Sequence, residues 1–375
     1  MNVSDRFFLC YFETTRRCNL HCTYCMTRRE FNSFTAEMTT AEAKTRVLDE
    51  VSAISSNAAV AFSGGELFLR PDALELLEYA ARRGIWSFVN MNGRLLVDTD
   101  AIRQAVGATG GKVIFVLPLN SLDAGVNRSG RDDGPQTVWR AAELCEKEHA
   151  PYFFIVTVSK GNLGTLRDTV KFLGKKNVPM LRSPFIPRGA GRAFSHQMVD
   201  RVDMEGTIHP ALTGNPLSYI SFTPFFGSPA LIEAGSSRFG LRIAGVGCQA
   251  ARSFAAVSAE GQVAPCVQLL DSACECGNVR HERLSEIVRD APLFNALRQR
   301  TGLKGKCGRC RYRETCGGCR AQAFYHSGDV EGEDPTCFFE PSDSGTRSCL
   351  EAAQTAQLGR FLLYVKTTTP WSSFL

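Results

Sequence analysis

The sequence predicts an α/β fold with a parallel sheet, open or curled into a partial barrel, followed by a cysteine-rich C-terminal module. Three observations carry this. Six strand-like runs alternate with helical patterns through the first half of the chain, and that rhythm stops near Arg192. Ten of the 15 cysteines then fall between Cys248 and Cys349, among short strands and turns. Strands that alternate with helices favour parallel pairing through right-handed crossovers. With 375 residues and 44% hydrophobic content, the chain can bury one large core, or one core and a smaller appended module.

In chain order, the strand-like runs are residues 7–14, 58–63, 86–91, 113–119, 152–158 and 180–186. Thr39-Thr40-Ala41-Glu42 is a capping box that opens a helix to about Ile54. Pro71-Asp72 opens a second helix, and Gly84 sits at its C-terminal cap. Helical patterns at 98–106, 136–148 and 163–173 continue the alternation. Residues 193–240 are irregular. They hold Pro210, Pro216, Pro224, Pro229 and an aromatic stretch at 219–226, and read as a bridging segment. Residues 254–257 and 262–265, joined through Ala259-Glu260-Gly261, predict a small β-hairpin. The expected units are 1–192 (the α/β half), 193–240 (the bridge), 241–345 (the cysteine-rich domain) and 346–375 (a tail).

Composition narrows the function. The net charge of +5 comes with no long basic run, which disfavours nucleic acid and anionic membrane as partners. No apolar run approaches the roughly 20 residues that span a bilayer. The apolar run Phe7-Phe8-Leu9-Cys10-Tyr11-Phe12 is too short for a signal peptide, so a soluble cytoplasmic protein is expected. An odd number of clustered cysteines in a large chain without a secretion signal points to metal ligation, not disulfides. Only six His are present, so that ligation runs mainly through sulfur, to iron–sulfur clusters or zinc.

The chemistry-bearing motifs follow the predicted strands. Cys18-Asn19-Leu20-His21-Cys22-Thr23-Tyr24-Cys25 lies on the loop after the first, at the end where parallel α/β folds carry their sites. Three thiolates there hold three irons of a cubane and leave the fourth open. On spacing alone a zinc knuckle competes. Ser63-Gly64-Gly65-Glu66 follows the second strand, where glycines permit close approach to a ligand and the carboxylate accepts from an ammonium. Asn92-Gly93, a turn dipeptide, follows the third, and Ser121-Leu122-Asp123 follows the fourth. Arg188 follows the sixth and offers an anion partner, with Arg140 as its competitor. In the C-terminal third, Cys248, Cys266, Cys307, Cys310, Cys316, Cys319 and Cys337 form a second constellation. Within it, Cys307-x-x-Cys310 and Cys316-x-x-Cys319 also have zinc-ribbon spacing. Cys10 and Cys145 lie in strand and helix patterns and read as small buried apolar residues.

The Cys-x-x-x-Cys-x-x-Cys loop with its aromatic Tyr24, and the motifs after the next strands, resemble the radical S-adenosylmethionine (SAM) superfamily. The resemblance covers residues 7–192 and implies a partial (β/α)6 TIM-like barrel. It implies that Cys18, Cys22 and Cys25 hold a catalytic 4Fe–4S cluster. In that family the cluster's open iron chelates SAM, and one electron cleaves SAM to methionine and a 5′-deoxyadenosyl radical that takes a hydrogen atom from substrate. It further implies that Tyr24 packs near the adenine and that Gly64, Gly65 and Glu66 bind the methionine amino group. Asn92 is placed near SAM, Ser121 near its ribose and carboxylate, and Arg188 against the carboxylate.

The seven C-terminal cysteines resemble the SPASM extension, which holds two auxiliary clusters. Carried across by position, Cys307, Cys310, Cys316 and Cys337 ligate auxiliary cluster II, and Cys248, Cys266 and Cys319 ligate auxiliary cluster I. One departure is that only Gly317-Gly318 separate Cys316 from Cys319, a version shared with the heme-pathway and mycofactocin subgroup. Residues 241–247 contain no cysteine. Auxiliary I therefore has an open iron, or a fourth ligand such as Cys274 or Cys276.

The leading expectation is an oxidoreductase that modifies a peptide or peptide-derived cofactor precursor, as in pyrroloquinoline quinone, mycofactocin and anaerobic sulfatase maturation. The alternative is oxidation or decarboxylation of a tetrapyrrole or other small molecule. A third class, a non-catalytic iron–sulfur electron carrier, has no need of Gly64-Gly65-Glu66. The implied partners are a peptide or small-molecule substrate, a flavodoxin- or ferredoxin-type electron donor and a separate peptide-recognition protein.

Overall fold

The computed structural model describes residues 6–27, 36–95, 100–208, 210–211, 218–220, 247–314 and 316–341. Its centre is a sheet built on β1 (Phe8–Thr15), β2 (Ala58–Gly64), β3 (Trp86–Asn90), β4 (Val113–Pro118), β5 (Tyr152–Val158) and β6 (Met180–Pro184). These six are parallel neighbours in chain order. Helices connect them, as parallel pairing requires. The capping box at Thr39 forms: its hydroxyl accepts from Glu42 N–H, and the Glu42 carboxylate accepts from Thr39 N–H. Helix Ala73–Arg82 ends before Gly84, whose φ of +78° suits glycine. Helices Ala101–Thr109, Pro135–Lys147 and Leu163–Lys175 complete the predicted set.

Four strands extend this sheet from segments that looked separate in sequence. β7 (Ser218–Ile220) pairs in parallel with β6, so the stretch read as a bridge supplies a strand. β8 (Phe254–Val257) and β9 (Gln262–Ala264) form the expected hairpin, and β10 (Gly277–Asn278) pairs with β9. β8 also lies parallel on β1, matching Leu9 to Phe254 and Phe12 to Val257. The order is therefore β10-β9-β8-β1-β2-β3-β4-β5-β6-β7, with β10 and β7 at its two ends. It is a partial barrel, continued by the cysteine-rich half.

One core runs through both halves. Phe12, Phe62 and Phe115 are in the same buried cluster as Ala255, Val257, Phe294 and Leu297. Each fully buried aliphatic or Phe side chain contributes roughly 1.5–3 kcal/mol. Cys10 and Cys145 belong to this cluster, and burial pushes each thiol up to about 12. Among the described residues no helix is long and apolar enough to cross a membrane. Residues 221–240 of the predicted bridge, the predicted tail and Cys349 lie outside the described residues.

Candidate active site

The loop that carries Cys18, Cys22 and Cys25 is zipped to β2 on one side. Gly65 N–H donates to Thr15 O at 2.7 Å, and Glu66 N–H donates to Arg17 O at 2.8 Å. A Cβ on Gly65 would lie 1.9 Å from Arg17 O, and one on Gly64, at φ +110°, 2.4 Å from Thr15 O. The two glycines thus allow backbone to meet backbone, which fixes the cysteine loop and sends the next side chain, Glu66, beneath it. On the other side, Thr23 N–H donates to Gly130 O at 3.0 Å and His21 N–H to Asp132 Oδ2 at 3.0 Å. The Cys18 thiol is pushed up by desolvation and then by the negative charges of Glu66, Cys25 and Cys22, so these groups share one place.

Glu66 is 1% exposed and accepts from Asn92 N–H at 2.8 Å. Burial pushes its carboxyl up to about 7, against the opposing pull of the Asn92 N–H and of Arg131. The Asn92 side chain donates to Asn19 Oδ1 at 2.6 Å and lies 3.7 Å from Cys18 Sγ. Arg131 is 5% exposed, and among the described residues its Nε has no hydrogen-bond partner. Its charge acts on both Glu66 and Tyr24. The Tyr24 hydroxyl meets Asn120 Nδ2, and the ring stands edge-on to Phe185 at 6.4 Å. The same ring covers Gly130, where a Cβ would lie 1.8 Å from it. Tyr24, Asn120, Thr157, Ser159 and Phe185 line a cavity of about 330 Å³ at the C-terminal ends of β4, β5 and β6.

Two of the expected residues make other contacts in the structure. Ser121 is fully buried, and its hydroxyl bonds Thr165 Oγ1 at 2.8 Å and Asp123 N–H at 3.0 Å. Its neighbour Asn120 lines the cavity instead. Arg188 is not a free anion partner. It pairs with Glu13, donates to Met26 O at 2.7 Å through Nε, and donates to Val267 O. Its competitor Arg140 is exposed on helix Pro135–Lys147. The buried cation beside Glu66 is Arg131, which the sequence reading passed over. Arg131 follows the short helix Ala124–Gly130, also unanticipated, because Gly125, Asn127, Ser129 and Gly130 are poor helix formers. That helix is held by its cap, where Asp123 Oδ1 accepts from Val126 N–H at 2.8 Å.

Arg188 ties two cysteine loops together, since Met26 adjoins Cys25 and Val267 adjoins Cys266. Beside it opens a second cavity of about 340 Å³, lined by Glu13, Arg16, Met26, Arg192, Leu270 and Asp271 among others. Its arginines are held by acids: Arg16 by Glu260, Arg188 by Glu13 and Arg192 by Asp271.

The C-terminal cysteines sort into two groups. Cys307, Cys310, Cys316 and Cys337 line one small cavity with Tyr312 and Phe339. Cys319 is elsewhere: desolvation and Asp334 raise its thiol first, then Cys248 and Cys266. Cys266 is pushed up to about 12 by burial and then by the Cys248 thiolate. Neighbouring N–H groups already face the sulfurs. Asp334 N–H donates to Cys307 Sγ at 3.3 Å and Tyr312 N–H to Cys310 Sγ at 3.4 Å. Among the described residues no three His, Cys, Asp or Glu side chains converge on a single-ion site. Thiols spread around a cavity suit the separate corners of a multi-iron cluster better than one tetrahedral zinc. Cys274 and Cys276 form a pair of their own. Asp271 acts on Cys274, and Cys274 and Glu275 act on Cys276.

The radical SAM superfamily model matches residues 12–173, and the SPASM iron–sulfur cluster-binding domain model matches residues 248–320. The chain is 30% identical over 342 residues to the AdoMet-dependent heme synthase of Methanosarcina barkeri, covering 88% of this chain and 96% of that protein. It is 26% identical over 350 residues to the PqqA peptide cyclase of Gluconobacter oxydans, covering 90% and 92%. The fold is similar to Streptococcus suis SuiB bound to SAM, with a TM-score of 0.66 at 17% identity, covering 90% of this chain and 79% of that one. The chain belongs to the radical SAM superfamily and is an enzyme of its SPASM-domain group, dependent on SAM and 4Fe–4S clusters.

Proposed function

We propose that this enzyme oxidises a carboxylate-bearing substrate held in the cavity between Met26 and Leu270, an iron tetrapyrrole being the first candidate. When bound at Cys18, Cys22 and Cys25, the cluster supplies the electron that cleaves SAM to a hydrogen-abstracting radical. The chain's own residues do the rest. Glu66 and Arg131 offer opposite charges, on one side of the triad, to the amino and carboxylate groups of SAM. Tyr24 and Asn120 line the cavity proposed to take its adenosine. Cys248, Cys266 and Cys319 hold auxiliary I, its fourth position open or filled by Cys274 or Cys276, and Cys307, Cys310, Cys316 and Cys337 hold auxiliary II.

The observation that carries the substrate reading is the place and lining of the second cavity. It lies between the loops of Cys25 and Cys266, and it presents Arg16, Arg188 and Arg192. The exposed Arg192 can turn from Asp271 to a substrate carboxylate, while Asp271, its side chain 9% exposed, keeps hydrogen bonds from the Tyr325 hydroxyl and Ala273 N–H. Tetrapyrroles are ranked first because the heme synthase relative matches at higher identity and over nearly its whole length. The peptide reading stays second, supported by the match to PqqA peptide cyclase. The test is anaerobic turnover with SAM, reductant and either carboxylated iron porphyrins or PqqA peptide. Loss of mass from a porphyrin, stoichiometric with 5′-deoxyadenosine, is expected. Modification of the peptide alone overturns the ranking.

A further inference from the structure

Arg300 joins the two cysteine groups of the C-terminal domain. It ends helix Pro292–Gln299 in the left-handed region, at φ +57°. Helix ends of this kind usually carry glycine, because a Cβ is strained there. Its side chain is buried, the residue being 3% exposed. One terminal nitrogen donates to the carbonyl of Cys248. The other donates to the carbonyls of Arg313 at 3.1 Å and Glu314 at 2.8 Å, three and two residues before Cys316. On the far side of Cys316, Gly317 packs against the guanidinium, and a Cβ there would lie 2.6 Å from its central carbon. The two loops also touch directly, Cys248 N–H donating to Cys316 O at 2.9 Å. One guanidinium thus rests on the main chain beside a thiol from each group.

Its charge has no carboxylate partner among the described residues. The negative groups that act on it are Cys248 and Cys316, and the cations Arg252 and Arg320 act on it in the opposite sense. Of the other buried arginines in this region, Arg188 is neutralised by Glu13, and Arg320 reaches Cys307 Sγ at 3.7 Å and donates through Nε to Gly318 O, beside Cys319. A buried guanidinium without a counter-ion is costly unless something nearby carries the opposite charge. Here that role falls to the sulfur groups.

We infer that Arg300 raises the reduction potentials of both auxiliary clusters, by placing a buried positive charge against the main chain of both their cysteine loops. This rests on the reading of those cysteines as cluster ligands. Reduction adds one negative charge to a cluster. A fixed cation favours that reduced form and raises the potential, as hydrogen bonding and net charge do generally. Because Arg300 touches both loops, it raises both potentials together.

The test uses full-length protein reconstituted without oxygen and carrying Cys18→Ala, Cys22→Ala and Cys25→Ala, which removes the first cluster's signal. In that parent, Arg300→Gln and Arg300→Lys are compared by iron and sulfide content and by redox titration followed by electron paramagnetic resonance. Arg300→Gln is expected to keep the parent's iron and to shift both auxiliary midpoint potentials downward. Arg300→Lys, which keeps the charge, is expected to stay at the parent's values. Unmoved potentials in Arg300→Gln at full iron, or an equal downward shift in Arg300→Lys, overturn the inference. If Arg300→Gln does not hold iron, Arg300→Lys decides in the same way, and loss of iron from both variants overturns it in favour of a structural role. The parent's own iron content tests the underlying reading separately. Iron for fewer than two clusters overturns the cysteine assignment, and the inference with it.

Discussion

Burial and function oppose each other at Glu66. Its carboxyl is pushed from its ordinary 4.5 to about 7 by desolvation, yet a carboxylate is what holds an ammonium. A raised acid pKa means that ionisation costs the folded state. The cost is absent below about 4.5, grows as pH rises, and is complete above about 7. Glu66→Gln without SAM is therefore expected to be more stable than wild type by about 2–3 kcal/mol at pH 8 and equal to it near pH 4.5. The opposite holds for binding. SAM affinity of the wild type should rise between pH 6 and 7.5, while Glu66→Gln binds roughly 10- to 100-fold more weakly at pH 7.5 and shows no such rise. Calorimetric titration with SAM checks this, and a variant that binds as tightly as wild type would sink the role given to Glu66. Glu66 was legible because it follows a strand and two glycines within four residues. Arg131 was not. Nothing in the spacing separates it from Arg128 or Arg140, and its burial depends on a weak helix held down by the cysteine loop.

Elements built from continuous apolar runs were readable in the sequence, and the long-range pairing of strands was not. β1 to β6 were visible as runs of Val, Ile, Phe and Ala, within two residues of their ends. β7 and β8 are three and four residues long, and their partners, β6 and β1, lie far away in the chain. Local pattern does not specify such a pairing. Arg188 shows the same limit. Its place after β6 was plain, but its role depends on Glu13, Met26 and Val267, which lie in three different segments. Removing one member of a buried ion pair strands the other, at a cost of about 3–5 kcal/mol. Arg188→Met should lose stability on that scale in denaturant titration, and Glu13→Gln together with Arg188→Met should recover much of it. A single variant within 1 kcal/mol of wild type would contradict the strut between the Cys25 and Cys266 loops.

Across the whole molecule, the three cysteine groups are ordered by direct contact. Arg188 ties the Cys25 loop to the Cys266 loop, and Arg300 ties the Cys248 loop to the Cys316 loop. Gly317-Gly318, both at positive φ, let adjacent cysteines diverge, Cys316 to one group and Cys319 to the other. With clusters on these groups, as proposed, an electron would have a path from the SAM site past the proposed substrate cavity to the far cluster, which would suit net oxidation of the substrate. The path has meaning only if the first group cleaves SAM. The most direct measurement is 5′-deoxyadenosine release by reduced, anaerobically reconstituted protein, comparing wild type with the Cys18→Ala, Cys22→Ala, Cys25→Ala variant at known iron content. Product from wild type, and none from the variant while it keeps its C-terminal iron, is the predicted result. Product from the variant at the wild-type rate, or none from fully loaded wild type, would contradict it.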